Sequence, residues 1–316
     1  MQLPPPLQVQ VPASTSNLGP GFDFLGLAFE LFLNATAVPA LDRDKGAHRV
    51  TYEGSSAQPT WSSGDDLVLR SLGAFEARTK HPLSALDLRI RSEIPVGRGF
   101  GSSGAAVAAA LLIANGSAAQ PLRTQELVEL ALGIEGHPDN GTASLLGGCT
   151  AAVPIPAETA SHSGEATLAI VQPPVHVDLH LAVAWPDQPL FTPDARAALP
   201  HSVPFADAVE NPRRLALLLE GLRTADPELL RLGVADRLHE RFRRALIPGA
   251  DAAVNAAYGA GAFAACLSGA GSGVVAFGLA AHVQAVSDAM IQEMPGGGGL
   301  ALPICRRAPV ARRLQP

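Results

Sequence analysis

The chain opens on an alternation of apolar and polar positions. LQVQVPAS, from Leu7 to Ser14, has the two-residue period of a strand, and LGLAFELFLNATAV, from Leu25 to Val38, reads as further strand. GDDLVLRSLGAFEARTK has helical periodicity, with Gly64, Asp65 or Asp66 at its start. LDLRIRSEIP alternates strictly and stops at Pro95. GRGFGSSGAAVAAALLI then runs from a glycine and serine turn into a small apolar helix. RTQELVELALGIEG is an amphipathic helix with Thr124 as its candidate N-cap. SLLGGCTAAV returns to strand. From Pro154 to about His176 the chain is rich in Pro, Ala, Ser and Thr, which marks a boundary and predicts two domains, 1–160 and 161–316. Beyond it VDLHLAVAWP reads as strand, and NPRRLALLLEGL and PELLRLGVADRLHERFRRALIP as helix. AFAACLSGAGSGVVAFG reads as strand, glycine turn and strand, AHVQAVSDAMIQEM as helix, and ALPICRRAPVARRL holds a last strand. The order predicts mixed α+β layers in two domains, not a regular βαβ alternation.

Composition narrows the function classes. A chain of 316 residues with 47% hydrophobic and 16% charged residues buries an ample core. A net charge of -6 offers nothing to nucleic acid or to an acidic membrane surface. The most apolar run, Ala105 to Ala114, is too short to span a bilayer. The start, MQLPPPLQVQVP, lacks the pattern of a secretory signal. Cys149, Cys266 and Cys305 are far apart, without metal-ligand spacing, and read as free thiols in a reducing compartment. The expectation is a cytoplasmic protein.

Four segments carry candidate chemistry. Gly97, Gly99, Gly101 and Gly104 let the backbone turn tightly and approach a ligand closely. The helix behind them would offer free N–H groups to an anion, with Ser102 and Ser103 adding hydroxyls. The stretch is not a Walker A loop, since no lysine follows its last glycine, and a helix-capping turn is the plainer alternative. VPASTSNLGPGFDFLGLA is dense in turn residues between strands. EGHPDNGTASLLGG packs Glu135, His137, Asp139 and Asn140 together, which suits substrate hydrogen bonding and cation coordination but also a surface turn. LSGAGSGVVAF is a second glycine turn or a plain hairpin. The serines do not sit in a G-x-S-x-G elbow, which argues against a serine hydrolase.

In order and spacing these segments resemble the homoserine kinases, within the superfamily that includes galactokinase and mevalonate kinase. The first motif is similar to VPASTSNLGPGFDFLGLA, the ATP loop to PVGRGFGSSGAA, the substrate segment to EGHPDNGTASLLGG and the third motif to SGAGSGVVAF. FTPDARAALP and RLHERFRRALIPG add weaker likeness, so the resemblance spans about Val11 to Val310. Phe100 stands where the family usually has Leu, Ser272 where it usually has Pro, and DNGTAS replaces the commoner DNVAPA. Mevalonate kinases and galactokinases usually carry a basic residue early in the first motif, where this chain has PASTSN.

The resemblance implies a two-domain GHMP kinase fold, with a ribosomal-protein-like N-terminal domain and a ferredoxin-like C-terminal domain, commonly as homodimers. It implies transfer of the γ-phosphoryl group of ATP to the side-chain hydroxyl of L-homoserine, a step toward threonine. Pro95, Val96, Gly97, Arg98, Gly99, Phe100, Gly101, Ser102, Ser103, Gly104 and Ala105 would wrap the triphosphate, and Ser103 and Glu135 would hold Mg²⁺, with Glu129 as the alternative glutamate. Arg196 and Arg243 match the family's carboxylate-gripping arginines, with Arg244 a near neighbour. Asp23 would take the ammonium. His137, Asp139 and Asn140 would line the hydroxyl end, with Asn17 and Asn140 orienting it. Asn140 stands where galactokinase-type relatives have an aspartate, and an amide is no base. Catalysis by alignment and Mg²⁺ follows, with Asp139 as the alternative base. Another alcohol substrate, and an ATP-binding sensor without turnover, stay as the competing readings.

Overall fold

The computed structural model describes residues 5–40, 44–54, 66–155 and 168–314. Its elements run β1 (Leu7–Asn17), β2 (Gly21–Pro39), β3 (Arg49–Gly54), α1 (Leu67–Thr79), β4 (Leu86–Ser92), α2 (Ser102–Ser117), α3 (Thr124–Glu135), α4 (Asp139–Leu146), β5 (Cys149–Pro154) and β6 (Leu168–Val171). Then follow β7 (Leu179–Trp185), α5 (Thr192–Ala197), α6 (Phe205–Thr224), α7 (Pro227–Gly233), α8 (Glu240–Arg244), α9 (Ala250–Gly259), β8 (Ala264–Leu267), β9 (Val274–Leu279), α10 (Val283–Gln292), β10 (Gly298–Pro303) and β11 (Arg312–Arg313).

Two sheets organise these elements. The larger has the order β11-β1-β2-β4-β3, with β5 and β6 continuing from the other end of β2. The smaller is β10-β7-β9-β8, antiparallel throughout. β6 joins the larger sheet through β5, and β11 returns to it through β1, so this sheet draws strands from both sides of residue 160.

Side-chain period explains the layers. β4 alternates strictly between buried and exposed positions. β1 alternates only to Gln10 and is buried on both faces from Val11 onward, where α2 and α4 pack on it. α2 is apolar all round and sits in the core. In the smaller sheet Leu179, Leu181 and Val183 face the main core, while Ala182 and Ala184 face a second core under α9 and α10.

Several local expectations change. Asp66 caps α1, its carboxylate accepting from the Val68 and Leu69 amides at 2.8 and 3.1 Å; Gly64 and Asp65 lie outside the described residues. The cap of α3 is Arg123 and not Thr124, which is the first helical residue. The segment after His137 is the helix α4, so strand resumes only at Cys149. The stretch read as one helix from Pro227 to Pro248 is broken. Asp236 Oδ2 accepts from the amides of Leu238, His239 and Glu240 at 3.0, 2.7 and 2.8 Å and starts α8 afresh. Strand β3 had no counterpart in the periodicity. Among the described residues no helix is long and apolar enough to cross a membrane.

Candidate active site

The glycine loop is shaped by what it touches. Gly97, Gly99 and Gly101 have φ of 69°, 74° and 67°, a region costly for any residue with a Cβ. A Cβ on Gly99 would lie 1.9 Å from the Ser268 carbonyl oxygen, and one on Gly101 2.2 Å from Ser14 Oγ. The loop therefore lies flat on the end of β1 and on the turn between β8 and β9. Backbone bonds hold it there: Ser14 N–H donates to Phe100 at 3.2 Å and Gly273 N–H to Arg98 at 3.1 Å. Ser268 Oγ donates to the Gly99 carbonyl at 2.7 Å and lies 2.9 Å from Thr15 Oγ1. The hairpin reading and the third-motif reading of this turn thus describe one structure.

Gly101 also starts α2, with no side chain capping it. The first amides of that helix are left for an anion. They border a cavity of about 340 Å³. Pro95 to Gly97 and Gly99 to Ser103 line it, together with Leu190 to Pro193 and Gly269 to Gly271 that pack beside the loop. Leu33, Tyr52, Leu67 and Ile90 make an apolar end. Three loop residues expected at the phosphates are not in this lining. Arg98 donates to the carbonyls of Val96 and Asp187, Gly104 packs on the Asn140 backbone, and the Ala105 amide closes the first helical bond on Gly101. Phe100 contributes backbone, since its ring is buried edge-on between Phe29 and Trp185 at 5.9 and 5.4 Å.

Beside Ser103 stands Glu135. Ser103 Oγ donates to Glu135 Oε1 at 2.9 Å. Oε2 of the same carboxylate is enclosed and has no partner among the described residues, although the residue keeps some exposed surface. Burial pushes this carboxyl up to about 7 against the opposing pull of His137. An orphaned, enclosed carboxylate oxygen next to a hydroxyl is a donor set that fits a hard divalent cation. Glu129, earlier on α3, pairs with Gln125 at 3.4 Å.

A second cavity, of about 30 Å³, adjoins the first. Asn17, Asp23, His137, Asp139, Asn140, Arg196 and Arg243 all line it. His137, Asn140, Thr192 and Ala270 line both cavities. Asn17, Leu18 and Asp23 have φ of 67°, 48° and 61°, so the turn between β1 and β2 and the strand ends that flank it lie in an unfavourable backbone region. Asn17 spans it, accepting from the Asp23 amide at 2.9 Å and donating to the Gly269 carbonyl at 2.8 Å. Asn140 is tied to β1: its Oδ1 accepts from Ser16 at 3.0 Å, and its Nδ2 donates to Ser14 Oγ at 3.0 Å and to the Ser14 carbonyl at 3.2 Å.

The charged groups sort into three states. Arg196 grips Asp23 with two bonds of 2.8 Å, so the residues expected at opposite ends of a zwitterion hold each other. His137 Nδ1 meets Asp139 Oδ1 at 2.7 Å. Burial opposes charge on both, but their bond prevails: His137 is raised to about 9 and Asp139 lies below its ordinary value. Arg243 is 1% exposed; its hydrogen-bond partners among the described residues are the carbonyls of Ala195 and Gly269 at 3.4 and 3.3 Å and His239 Nδ1 at 3.5 Å. Among the described residues it has no ion pair. A buried guanidinium without a carboxylate is costly until an anion arrives.

Comparison with known proteins decides between the kinase readings. The GHMP kinases N terminal domain matches residues 66–148 and the GHMP kinases C terminal domain residues 218–296. The homoserine kinase of Parasynechococcus marenigrum is 39% identical over 303 residues, covering 96% of this chain and 91% of that one. The chain belongs to the homoserine kinase family. A second homoserine kinase, from a Synechococcus strain, is 38% identical with 90% of each chain covered. The crystal structure of homoserine kinase from Cytophaga hutchinsonii shares the fold, with a TM-score of 0.85 at 24% identity over 99% of both chains. The two-domain GHMP fold of the homoserine kinases accounts for the pair of sheets.

Sequence reasoning overlooked part of this homoserine kinase site. Tyr52, Leu67 and Ile90 form the apolar end of the larger cavity, and Thr192 sits where the two cavities meet. Phe22 packs against Arg196 and Arg243, and His239 meets Arg243. The likeness of FTPDARAALP and RLHERFRRALIPG to the family was the available signal for Thr192 and His239.

Proposed function

We propose that this chain transfers the γ-phosphoryl group of ATP to the side-chain hydroxyl of L-homoserine, giving O-phospho-L-homoserine on the way to threonine. The observation that carries the reading is the pair of adjoining cavities. One has the glycine loop and the start of α2 at its wall, and the other holds both signs of charge. A triphosphate in the first cavity lies against the open amides of Gly101 to Ser103, with the base toward Tyr52 and Ile90. An α-amino acid in the second offers its ammonium to Asp23 and its carboxylate to Arg196 and Arg243. The Arg196–Asp23 pair opens to admit it, because about 30 Å³ holds a water or two and not an amino acid. The ammonium then pairs with Asp23, and the carboxylate is shared by the two arginines.

Phosphoryl transfer asks for alignment and charge neutralisation more than for covalent chemistry. Ser103 and Glu135 would hold a Mg²⁺ ion, which neutralises phosphate charge when bound. Asn17 keeps an amide hydrogen to orient the hydroxyl, and Asn140 holds α4 against β1. Asp139 is spent on His137, which argues against its use as a base. Three free thiols and use of ATP fit a cytoplasmic enzyme.

The test is ADP release with ATP and Mg²⁺ against L-homoserine, D-homoserine, L-serine, mevalonate and galactose. Turnover with L-homoserine above all others is expected. Turnover only with an alcohol that is not an amino acid would overturn the roles of Asp23, Arg196 and Arg243. ATP binding without turnover on any alcohol would make the chain a sensor.

A further inference from the structure

Phe22 precedes Asp23 at the start of β2, and three side chains gather on its ring. The His239 ring lies 5.0 Å away between centroids, and the guanidinium carbons of Arg243 and Arg196 lie 5.0 and 5.7 Å from the Phe22 centroid. His239 is 1% exposed. Its Nε2 is 2.8 Å from the Gly19 carbonyl oxygen, and its Nδ1 is 3.5 Å from Arg243 Nη1. A carbonyl only accepts and a guanidinium only donates. The tautomer follows: Nε2 carries the hydrogen and gives it to Gly19, while Nδ1 is bare toward Arg243. Asp236 Oδ1, 3.7 Å from Nε2, stands on the same side as the hydrogen. The backbone is clamped as well, since a Cβ on Gly19 would lie 2.1 Å from the Val234 carbonyl oxygen.

We propose that His239 is a positioning residue that fixes the spacing between Asp23 and Arg243 by holding Gly19 with one ring nitrogen and Arg243 with the other. This rests on the homoserine reading given above. An α-amino acid carries its two charges on one carbon, so its receptor must hold opposite charges at a set separation. Asp23 stands at the start of β2, just past the turn that holds Gly19, and Arg243 on α8, far apart in the chain. A single imidazole bridges them, and it holds the buried arginine that lacks a carboxylate. His239 thereby sets the preference for a substrate with a carboxylate beside its ammonium.

Two near-isosteric variants separate the bonds. His239→Asn places a carbonyl oxygen where Nδ1 lies and keeps the acceptor for Arg243. His239→Gln places an amide nitrogen near Nε2 and keeps the donor to Gly19. The measurement is kcat/KM for L-homoserine against 3-aminopropan-1-ol, the same amino alcohol without its carboxylate, with thermal melting as the control for folding. His239→Gln is expected to lower the homoserine to aminopropanol ratio about tenfold, with the loss on KM, the size of one bond to a charged group. His239→Asn, which keeps the Arg243 bond, is expected to lower it less. An equal loss on both substrates, or a fall in melting temperature with the ratio unchanged, would overturn the positioning role and leave the homoserine reading standing. A wild-type enzyme with no preference between the two alcohols would overturn both.

Discussion

At the scale of single residues, burial sorts the acidic groups by task. Glu135 and Asp139 are both enclosed, yet only Asp139 has a cation beside it at 2.7 Å. Glu135 has a hydroxyl and one empty oxygen. Glu135→Gln should therefore cost about 10²–10³-fold in kcat at fixed Mg²⁺, while Glu129→Gln stays near wild type; steady-state rates across a metal titration check this. The His137–Asp139 pair makes a separate prediction about pH. His137 is raised from an ordinary value near 6.5 to about 9, so its contribution to stability is full below 6.5 and is lost as pH rises through 9. The shift corresponds to something on the order of 3 kcal/mol. The gap in unfolding free energy between wild type and Asp139→Asn should be widest near pH 6 and narrow by pH 10, as read by denaturant melts. Turnover of Asp139→Asn at saturating substrate should stay within a few-fold of wild type, because a carboxylate bound to an imidazolium is a poor base. Loss of turnover with folding intact would assign it the proton instead.

At the scale of elements, the glycine loop, the first-motif turn and the β8–β9 turn form one backbone-to-backbone contact. Gly99→Ala puts a methyl group into the Ser268 carbonyl at a positive φ and should destabilise the fold by more than about 2 kcal/mol. It should also weaken ATP binding, which calorimetry would read directly. These turns were legible in the sequence because their glycines cluster where backbone meets backbone. The strands with clean alternation were legible for an equally physical reason, a two-residue period with one face buried. Other elements hid. α4 has eight residues, DNGTASLL, of which only the last two are large and apolar, so no helical stripe announces it. The break between α7 and α8 lies inside an unbroken apolar period and depends on Asp236 accepting three amides. Tyr52 was missed with its strand, whose positions are all exposed or half-buried. His239 and Phe22 matter through contacts between residues more than 200 positions apart, which no window of sequence contains.

At the scale of the whole molecule, the glycine loop belongs to both sheets at once, and Phe100 is the joint. Its ring meets Phe29 of β2 edge-on at 5.9 Å and Trp185 of β7 at 5.4 Å, while its own carbonyl holds Ser14 of β1. A Cβ on Gly273 would lie 2.7 Å from the same ring, so the β8–β9 turn is seated on it too. The loop backbone that lines the larger cavity is thus fixed by a side chain buried in the seam between the sheets. Leucine, the residue the family usually has here, fills most of that seam but loses both edge contacts. Phe100→Leu should cost about 1–2 kcal/mol and change the KM for ATP less than about threefold. Phe100→Ala empties the seam and should cost about 3–5 kcal/mol. Because the loop then loses its anchor as well as its packing, the KM for ATP should rise at least about tenfold at temperatures where the variant is still folded. Thermal melts and ATP titrations on the two variants separate the possibilities. A large fall in melting temperature with an unchanged KM would mean that the ring only fills the core. A fall in both, graded from leucine to alanine, would mean that the seam between the sheets holds the phosphate loop in its working shape.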